Sequence, residues 1–143
     1  VTDSNGLPLA AMLSPGQRHE APVFPALMDG VRVRLANGRT RSRPGRLAGD
    51  KAYGYEPVYR YLRRRGIAHA IPQRSGPGVG RLRLPVDPDT YRRRNAVERC
   101  VGWLKGCRSV GTRHDKLATS FLAMVKLAFM RQYLRALRPS DRT

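Results

Sequence analysis

Acidic residues are scarce. Ten Asp and Glu stand against 28 Lys and Arg, a formal net charge of +18 over 143 residues. A field of that sign draws polyanions, of which nucleic acid is the most common. A ribosomal or nucleoid protein and a basic membrane-surface protein are the other classes such charge allows, but no basic amphipathic helix dominates as an interfacial anchor would. Lysine is scarce too: Lys51, Lys105, Lys116 and Lys126 are the whole set, and arginine supplies the rest. The planar fork of Arg suits phosphate oxygens, although a GC-rich genome produces the same bias. No apolar run reaches the roughly 18 residues that a membrane span needs. Cysteine is limited to Cys100 and Cys107, about 10 Å apart along a helical pattern. That is too far for a disulfide, and no His or Cys neighbour completes a metal site. A reducing compartment, a cytoplasm, follows. With 41% hydrophobic residues, the chain has the composition and length of one globular domain rather than a disordered tail.

Val1 and Thr2 read as the end of a strand and Asp3–Gly6 as a turn. Residues 7–14 read as a second strand, in a hairpin whose first arm is largely missing. From Glu20 to Val31, the apolar positions Val23, Leu27, Met28 and Val31 recur at helical spacing, with Pro22 near the start. Residues 34–46 carry Arg34, Arg39, Arg41, Arg43 and Arg46 with no apolar pattern, which predicts a basic loop. Arg46–Asp50 reads as a short buried strand ending at a carboxylate. Glu56–Arg65 reads as a helix, with Pro57 in its first turn, Val58 and Leu62 on one face and Gly66 as its stop. Ile67–Ile71 is a further short strand closed by Pro72, and residues 73–88, rich in Gly, Pro and Arg, read as a second basic loop. Tyr91 to about Cys107 is predicted as a third helix. A fourth runs from Thr119 to Leu137, with Phe121, Leu122, Val125, Phe129 and Leu134 among its apolar positions. Strands interleaved with helices imply an α/β fold with a mixed sheet.

The third helix carries the sharpest chemical signal. Tyr91, Arg94, Glu98 and Lys105 are spaced by 3, 4 and 7 residues, which puts them within an arc of roughly 60°. Val97, Cys100, Val101 and Leu104 form a separate arc that reads as the core face. The plain reading of the polar stripe is a solvated face, with an Arg94–Glu98 ion pair worth a few tenths of a kcal/mol.

Tyr91-x2-Arg94-x3-Glu98-x6-Lys105 resembles, at all four positions, the Y-R-E-K signature of a group of DDE insertion-sequence transposases. The surrounding stretch YRRRNAVERCVGWLKGCRSVGTRHDKLATSF is similar to that family's third core helix and the segment after it. LAGDKAYGYEPVYRYLRRRGIAHAIP resembles the segment bearing its second catalytic aspartate, and LPLAAMLSPGQRHEAPVFPALMDGV its hairpin strand and first helix. The resemblance implies a ribonuclease-H-like mixed sheet flanked by helices, with an added C-terminal helix. Residues 1–143 would form a single catalytic domain, incomplete at its N-terminus because the first core strand is absent.

What the resemblance implies about chemistry is DNA transposition, by Mg²⁺-dependent phosphodiester hydrolysis and strand transfer. Two Mg²⁺ ions would serve that chemistry, one at the nucleophile and one at the leaving oxygen, and Mg²⁺ prefers hard oxygen ligands. Asp50 and Glu98 would be the catalytic, metal-holding carboxylates, with Arg94 and Lys105 holding phosphates and Tyr91, Arg92 and Arg93 as further DNA contacts. The family's first catalytic aspartate belongs on a strand upstream of this hairpin. Asp3 is the nearest candidate, but it matches the turn, where Asp caps a chain reversal. The metal site is therefore expected to be incomplete in this chain, leaving open whether the chain is an enzyme or a truncated, non-catalytic DNA-binding remnant. The implied partners are double-stranded DNA, at transposon ends and target, and further copies of the chain in a synaptic complex, with no membrane. The implied setting is a bacterial cytoplasm, at the nucleoid. His19, His69 and His114 show no ligand spacing and read as structural or solvent-facing.

Overall fold

A computed structural model describes residues 1–15, 21–74, 87–112 and 117–137. The chain divides into two units, one of Val1 with Leu9–Asn95 and the other of Thr2–Pro8 with the chain from Ala96 on.

In the first unit a 3₁₀ turn at Ala21–Val23 leads into helix α1, Phe24–Asp29, which buries Phe24 and Met28. Gly30 and Val31 still donate back to the carbonyls of Ala26 and Met28. The helix is therefore shorter than its apolar spacing predicts, and Glu20 falls outside the described residues. Strands β1 (Val33–Arg34) and β2 (Thr40–Arg41) then pair antiparallel. The stretch expected to be a basic loop is a hairpin. Its turn is set by Gly38, whose φ of +79° is a conformation that only glycine adopts without cost. Each strand is two residues long, and the first lies in a short alternation, Val31, Val33 and Leu35 against Arg32 and Arg34, that the expectation of a loop from residue 34 cut through.

Strand β3 (Arg46–Ala48), helix α2 (Glu56–Arg64) and strand β4 (Ala68–Ala70) follow, where the sequence places them. β3 and β4 pair in parallel, Leu47 opposite His69, as strands joined through a helix do. Glu56 sits at the positive end of the α2 dipole and Arg63 and Arg64 at its negative end. The helix stops in a Schellman motif. Gly66, at φ +60°, donates to Arg63, and Ile67 donates to the Leu62 carbonyl at 2.9 Å. Val58, Tyr59, Tyr61 and Leu62 form the buried face of α2 and pack with Phe24, Met28, Ile67 and Ile71. Phe24 sets its ring edge-on to Tyr61 at 5.8 Å. Full burial of a side chain such as Leu62 stabilises by about 1.5–3 kcal/mol, and eight residues make up this core. Helix α3 (Pro88–Arg92) completes the unit, with Asp87 capping it by accepting from Asp89 N.

In the second unit, helix α4 spans Asn95–Gly106, a short α5 spans Arg108–Gly111, and α6 runs from Ala118 to Leu137. Thr2–Pro8 is a tight reversal in which Asp3 accepts from Asn5 N and Leu7 N at 2.9 and 2.8 Å, with Gly6 at φ +89°. α6 carries that reversal: Gln132 donates to the Gly6 carbonyl and Tyr133 to the Pro8 carbonyl. Burial, and then Asp3, push the Tyr133 phenol above its usual value.

Several expectations change. The second strand predicted over residues 7–14 is absent; a single bridge, Thr2 with Pro8, is all that forms. Pro8 has no N–H to donate, and Leu9 and Ala10 both donate to the one Val1 carbonyl, so no ladder can extend. In place of one mixed sheet, the described residues hold one antiparallel and one parallel pair. The predicted third helix is two helices, α3 and α4, interrupted at Arg93–Arg94. On α4 the buried positions are Ala96 and Cys100, while Val101, read as core, is 43% exposed. On α6, Val125 is buried and Phe121, Leu122 and Phe129 are half-buried, but Leu134 is exposed. Most of the second basic loop, residues 75–86, lies outside the described residues, as do His19 and His114. His69 stacks on Tyr59 at 5.0 Å, and burial lowers its pKa. Both cysteines are free thiols. No helix among the described residues is long and apolar enough to cross a membrane.

Candidate functional site

Asp50 stands just past the C-terminal end of β3, where the chain leaves the parallel pair for a 3₁₀ turn at Lys51–Tyr53. Close backbone packing fixes this exit. Gly49 N donates to the Ala70 carbonyl, and a Cβ at position 49 would lie 3.1 Å from the buried Ile71 side chain. A Cβ at Gly54, where the turn ends, would overlap the Pro72 carbonyl oxygen. Two glycines thus let the Asp50 turn lie directly against the chain leaving β4. The carboxylate itself is open, with 58% of the side chain exposed, and the Arg94 guanidinium stands 4.0 Å from Oδ2. At that distance the pair is electrostatic rather than a direct hydrogen bond.

Arg94 reaches Asp50 because α3 is docked in place. Arg46, at the start of β3, donates through Nη1 to Asp87 Oδ2 and to Thr90 Oγ1, both at 2.8 Å. Thr90 in turn hydrogen-bonds Asp87. That Thr90 bond is the main reason the Asp87 carboxyl lies below its usual range. With α3 held there, Arg94 N donates to the Tyr91 carbonyl and the Arg94 guanidinium lies over the Tyr91 ring, 5.4 Å from its centre. The structure therefore brings Asp50, Tyr91 and Arg94 together in the first unit. Arg92 pairs with Asp89 on the exposed side of α3, and Arg93 caps the helix C-terminus in solvent. The role of Arg46 escaped the sequence reading, which placed it with the basic loop. The clue lay in Asp87, which directly precedes Pro88 at a helix start, an arrangement that calls for a capped and docked N-terminus.

Glu98 and Lys105 lie in the second unit, both exposed on α4, the acid in its first turn and the lysine in its last. Seven residues bring them back to one face, two turns and about 10 Å apart. The opposite requirement, burial, falls on Ala96 and Cys100. The end of α4 is pinned by α5: a Cβ at Gly111 would collide with the Lys105 carbonyl. Asp3 belongs to its turn, since its Oδ1 already accepts two backbone N–H groups.

The donor chemistry suits a hard divalent cation. Asp50 and Glu98 are solvent-open carboxylates of the class Mg²⁺ takes. Among the described residues no three of His, Cys, Asp and Glu gather into a metal-binding group.

Comparison with known proteins agrees with the motif. A family model described as "Transposase DDE domain" matches residues 1–132. A protein of Burkholderia cepacia, named as a transposase for insertion sequence element IS402, is 31% identical over 147 residues, an alignment covering 100% of this chain and 64% of that protein. No solved structure matches. The match over residues 1–132 shows that the chain belongs to the DDE transposase domain family.

Proposed function

We propose that this chain carries part of the catalytic machinery of DNA transposition, on a ribonuclease-H-like framework, with Asp50 and Glu98 as carboxylates that hold divalent metal. The observation that carries the reading is the position of Asp50, open to solvent at the C-terminal end of a parallel strand pair with Arg94 4.0 Å away. Open α/β sheets bind their ligands at that end. The β3–α2–β4 unit is the part of such a framework that supports the assignment. Bound by these carboxylates, Mg²⁺ would activate the attacking oxygen and relieve charge on the leaving oxygen of a phosphodiester.

The chain's own residues do the rest. Arg94, its guanidinium 4.0 Å from Asp50 and over the Tyr91 ring, would turn its planar fork toward a DNA phosphate. Lys105 adds a point charge on the Glu98 face of α4. Tyr91, Arg92 and Arg93 contact the DNA backbone beside Arg94. The partner is double-stranded DNA, at element ends and target, and the net charge of +18 favours it whatever its sequence. Copies of the chain would meet on those ends in a synaptic complex, in a bacterial cytoplasm at the nucleoid.

Metal binding tests the assignment. Titration of the chain with Mn²⁺, followed by electron paramagnetic resonance, should show binding that Asp50→Asn or Glu98→Gln each weaken by about tenfold or more, with circular dichroism unchanged. Binding that survives both substitutions would overturn it.

A further inference from the structure

We infer that the β1–β2 hairpin is a separate duplex-DNA contact, a rigid cationic ribbon that grips the phosphate backbone through Arg34, Arg39 and Arg41. The inference rests on the DNA-binding part of the proposed function and adds a surface to it.

The first unit has five acids among the described residues, and each stands beside an arginine: Asp29 with Arg65, Asp50 with Arg94, Glu56 with Arg63, Asp87 with Arg46 and Asp89 with Arg92. None of those arginines lies on the hairpin. Between Asp29 and Asp50 the sequence has no acid at all. Among the described residues, the guanidiniums of Arg34 and Arg39 have no ion-pair or hydrogen-bond partner, while Arg41 uses only Nε, on the Arg43 carbonyl. Arg60, Arg64 and Arg93 are likewise exposed and without a carboxylate among the described residues, so what sets the hairpin apart is three arginines close together in a stretch that holds no acid.

The hairpin is also braced at its tip and its base. The tip is a tight turn in which Gly38 N donates to the Leu35 carbonyl, Leu35 N to the Arg39 carbonyl and Arg39 N to Asn37 Oδ1. With Gly38 at φ +79°, this is a favoured closure for a short hairpin. The base is tied down as well. Arg43 donates to the Arg65 carbonyl at the C-terminal end of α2, so the strand leaving the hairpin is anchored to the core helix before β3 begins. Charges held this way lose little freedom on binding.

The ribbon carries arginine on both faces. Arg34 lies opposite Thr40, and Arg41 opposite Val33, so successive side chains put Arg34 on one face of the ribbon and Arg39 and Arg41 on the other. A two-stranded ribbon has the width of the major groove. Cations on both of its faces match a groove walled by phosphates on both sides, with Val33 and Leu35 on the Arg39 and Arg41 face. Thr40, Arg41 and the whole turn are exposed.

The test compares two triple variants of the full chain, Arg34→Ala/Arg39→Ala/Arg41→Ala on the hairpin and Arg60→Ala/Arg64→Ala/Arg135→Ala on exposed helix positions. Each removes the same charge. Binding of a labelled 30-base-pair duplex is followed by fluorescence anisotropy across a salt series. The expected result is that the hairpin variant lowers the magnitude of the slope of log K against log salt by about 2–3 units, ~0.9 per phosphate lost, with the control below one unit. Arg→Lys at the three hairpin positions should retain the slope. Equal losses in the two alanine variants, or an unchanged slope in the hairpin variant, would overturn the hairpin assignment while leaving DNA binding intact. No salt-dependent binding by the unsubstituted chain would instead overturn the DNA reading on which it rests.

Discussion

The two units of the chain hold the carboxylates proposed to bind metal, Asp50 and Glu98, in different ways. In the first, eight buried residues pack together, four of them on α2, three ion pairs (Arg46–Asp87, Arg65–Asp29 and Arg94–Asp50) join separate segments, and Asp50 sits on a turn closed against the chain leaving β4. In the second, Glu98 and Lys105 ride on one helix, and α6 leaves Leu127, Met130, Leu134 and Leu137 exposed at spacings of 3, 4 and 3. One carboxylate is positioned by a sheet and its turns, the other by helical periodicity alone. A sheet fixes a side chain through many non-local contacts, whereas a helix fixes its direction through local geometry and leaves its depth to packing.

Truncation in the two cores should show the contrast most strongly. Leu62→Ala, at 0% exposure, should destabilise the first unit by about 2–5 kcal/mol. Leu134→Ala, 62% exposed, should cost no more than about 0.5 kcal/mol. Urea unfolding followed by circular dichroism measures both. A large loss for Leu134 would mean that α6 buries this face in solution, and the contrast between the units would vanish.

A smaller effect is expected at the turn that sets Asp50. Gly54→Ala places a methyl on the Pro72 carbonyl, a backbone atom that cannot rotate away, and should cost about 1–3 kcal/mol. Gly106→Ala, where a Cβ meets nothing within 4 Å, should be neutral or slightly stabilising, since alanine favours a helix. Equal outcomes would show that the Asp50 turn is no more tightly fitted than the helix end.

The smallest effect is a pH dependence confined to the first unit. Hydrogen bonding from Thr90 holds the Asp87 carboxyl below its ordinary value. A carboxylate depressed in the folded state contributes stability that is present above its unfolded value, ~3.9, and is lost as pH falls through the folded value. Thr90→Val should therefore flatten the fall in stability below about pH 4. An acid limb identical to that of the unsubstituted chain would remove Asp87 as a contributor.

The sequence was a good guide where the pattern had length or strong punctuation. α2 starts at Glu56 beside Pro57 and stops at Gly66, and α6 begins at Ala118, close to where the sequence places them. The two short strands around α2 were legible because each is a brief apolar run closed by a turn residue, and the motif around Asp50 singled out that carboxylate. The hairpin was missed because its second strand, Thr40–Arg41, carries no apolar residue, although Val31, Val33 and Leu35 alternate with Arg32 and Arg34 through its first. Asn37-Gly38 was its visible signal, a dipeptide that favours tight reversals. Nor does any glycine or proline mark the break at Arg93–Arg94, because Arg94 turns there toward Asp50 and Tyr91 through tertiary contacts. Periodicity placed Val101 in the core; the face that α4 buries is instead the one carrying Ala96 and Cys100, and Cys100 meets Gln132 of α6.

The central claim, that Asp50 and Glu98 act on the same metal chemistry, is tested most directly by a double-mutant cycle on Mn²⁺ affinity. Carboxylates that serve one site are coupled, so Asp50→Asn/Glu98→Gln should weaken binding by little more than the larger single substitution does. Losses that simply multiply, each substitution acting as though the other were absent, would contradict the account.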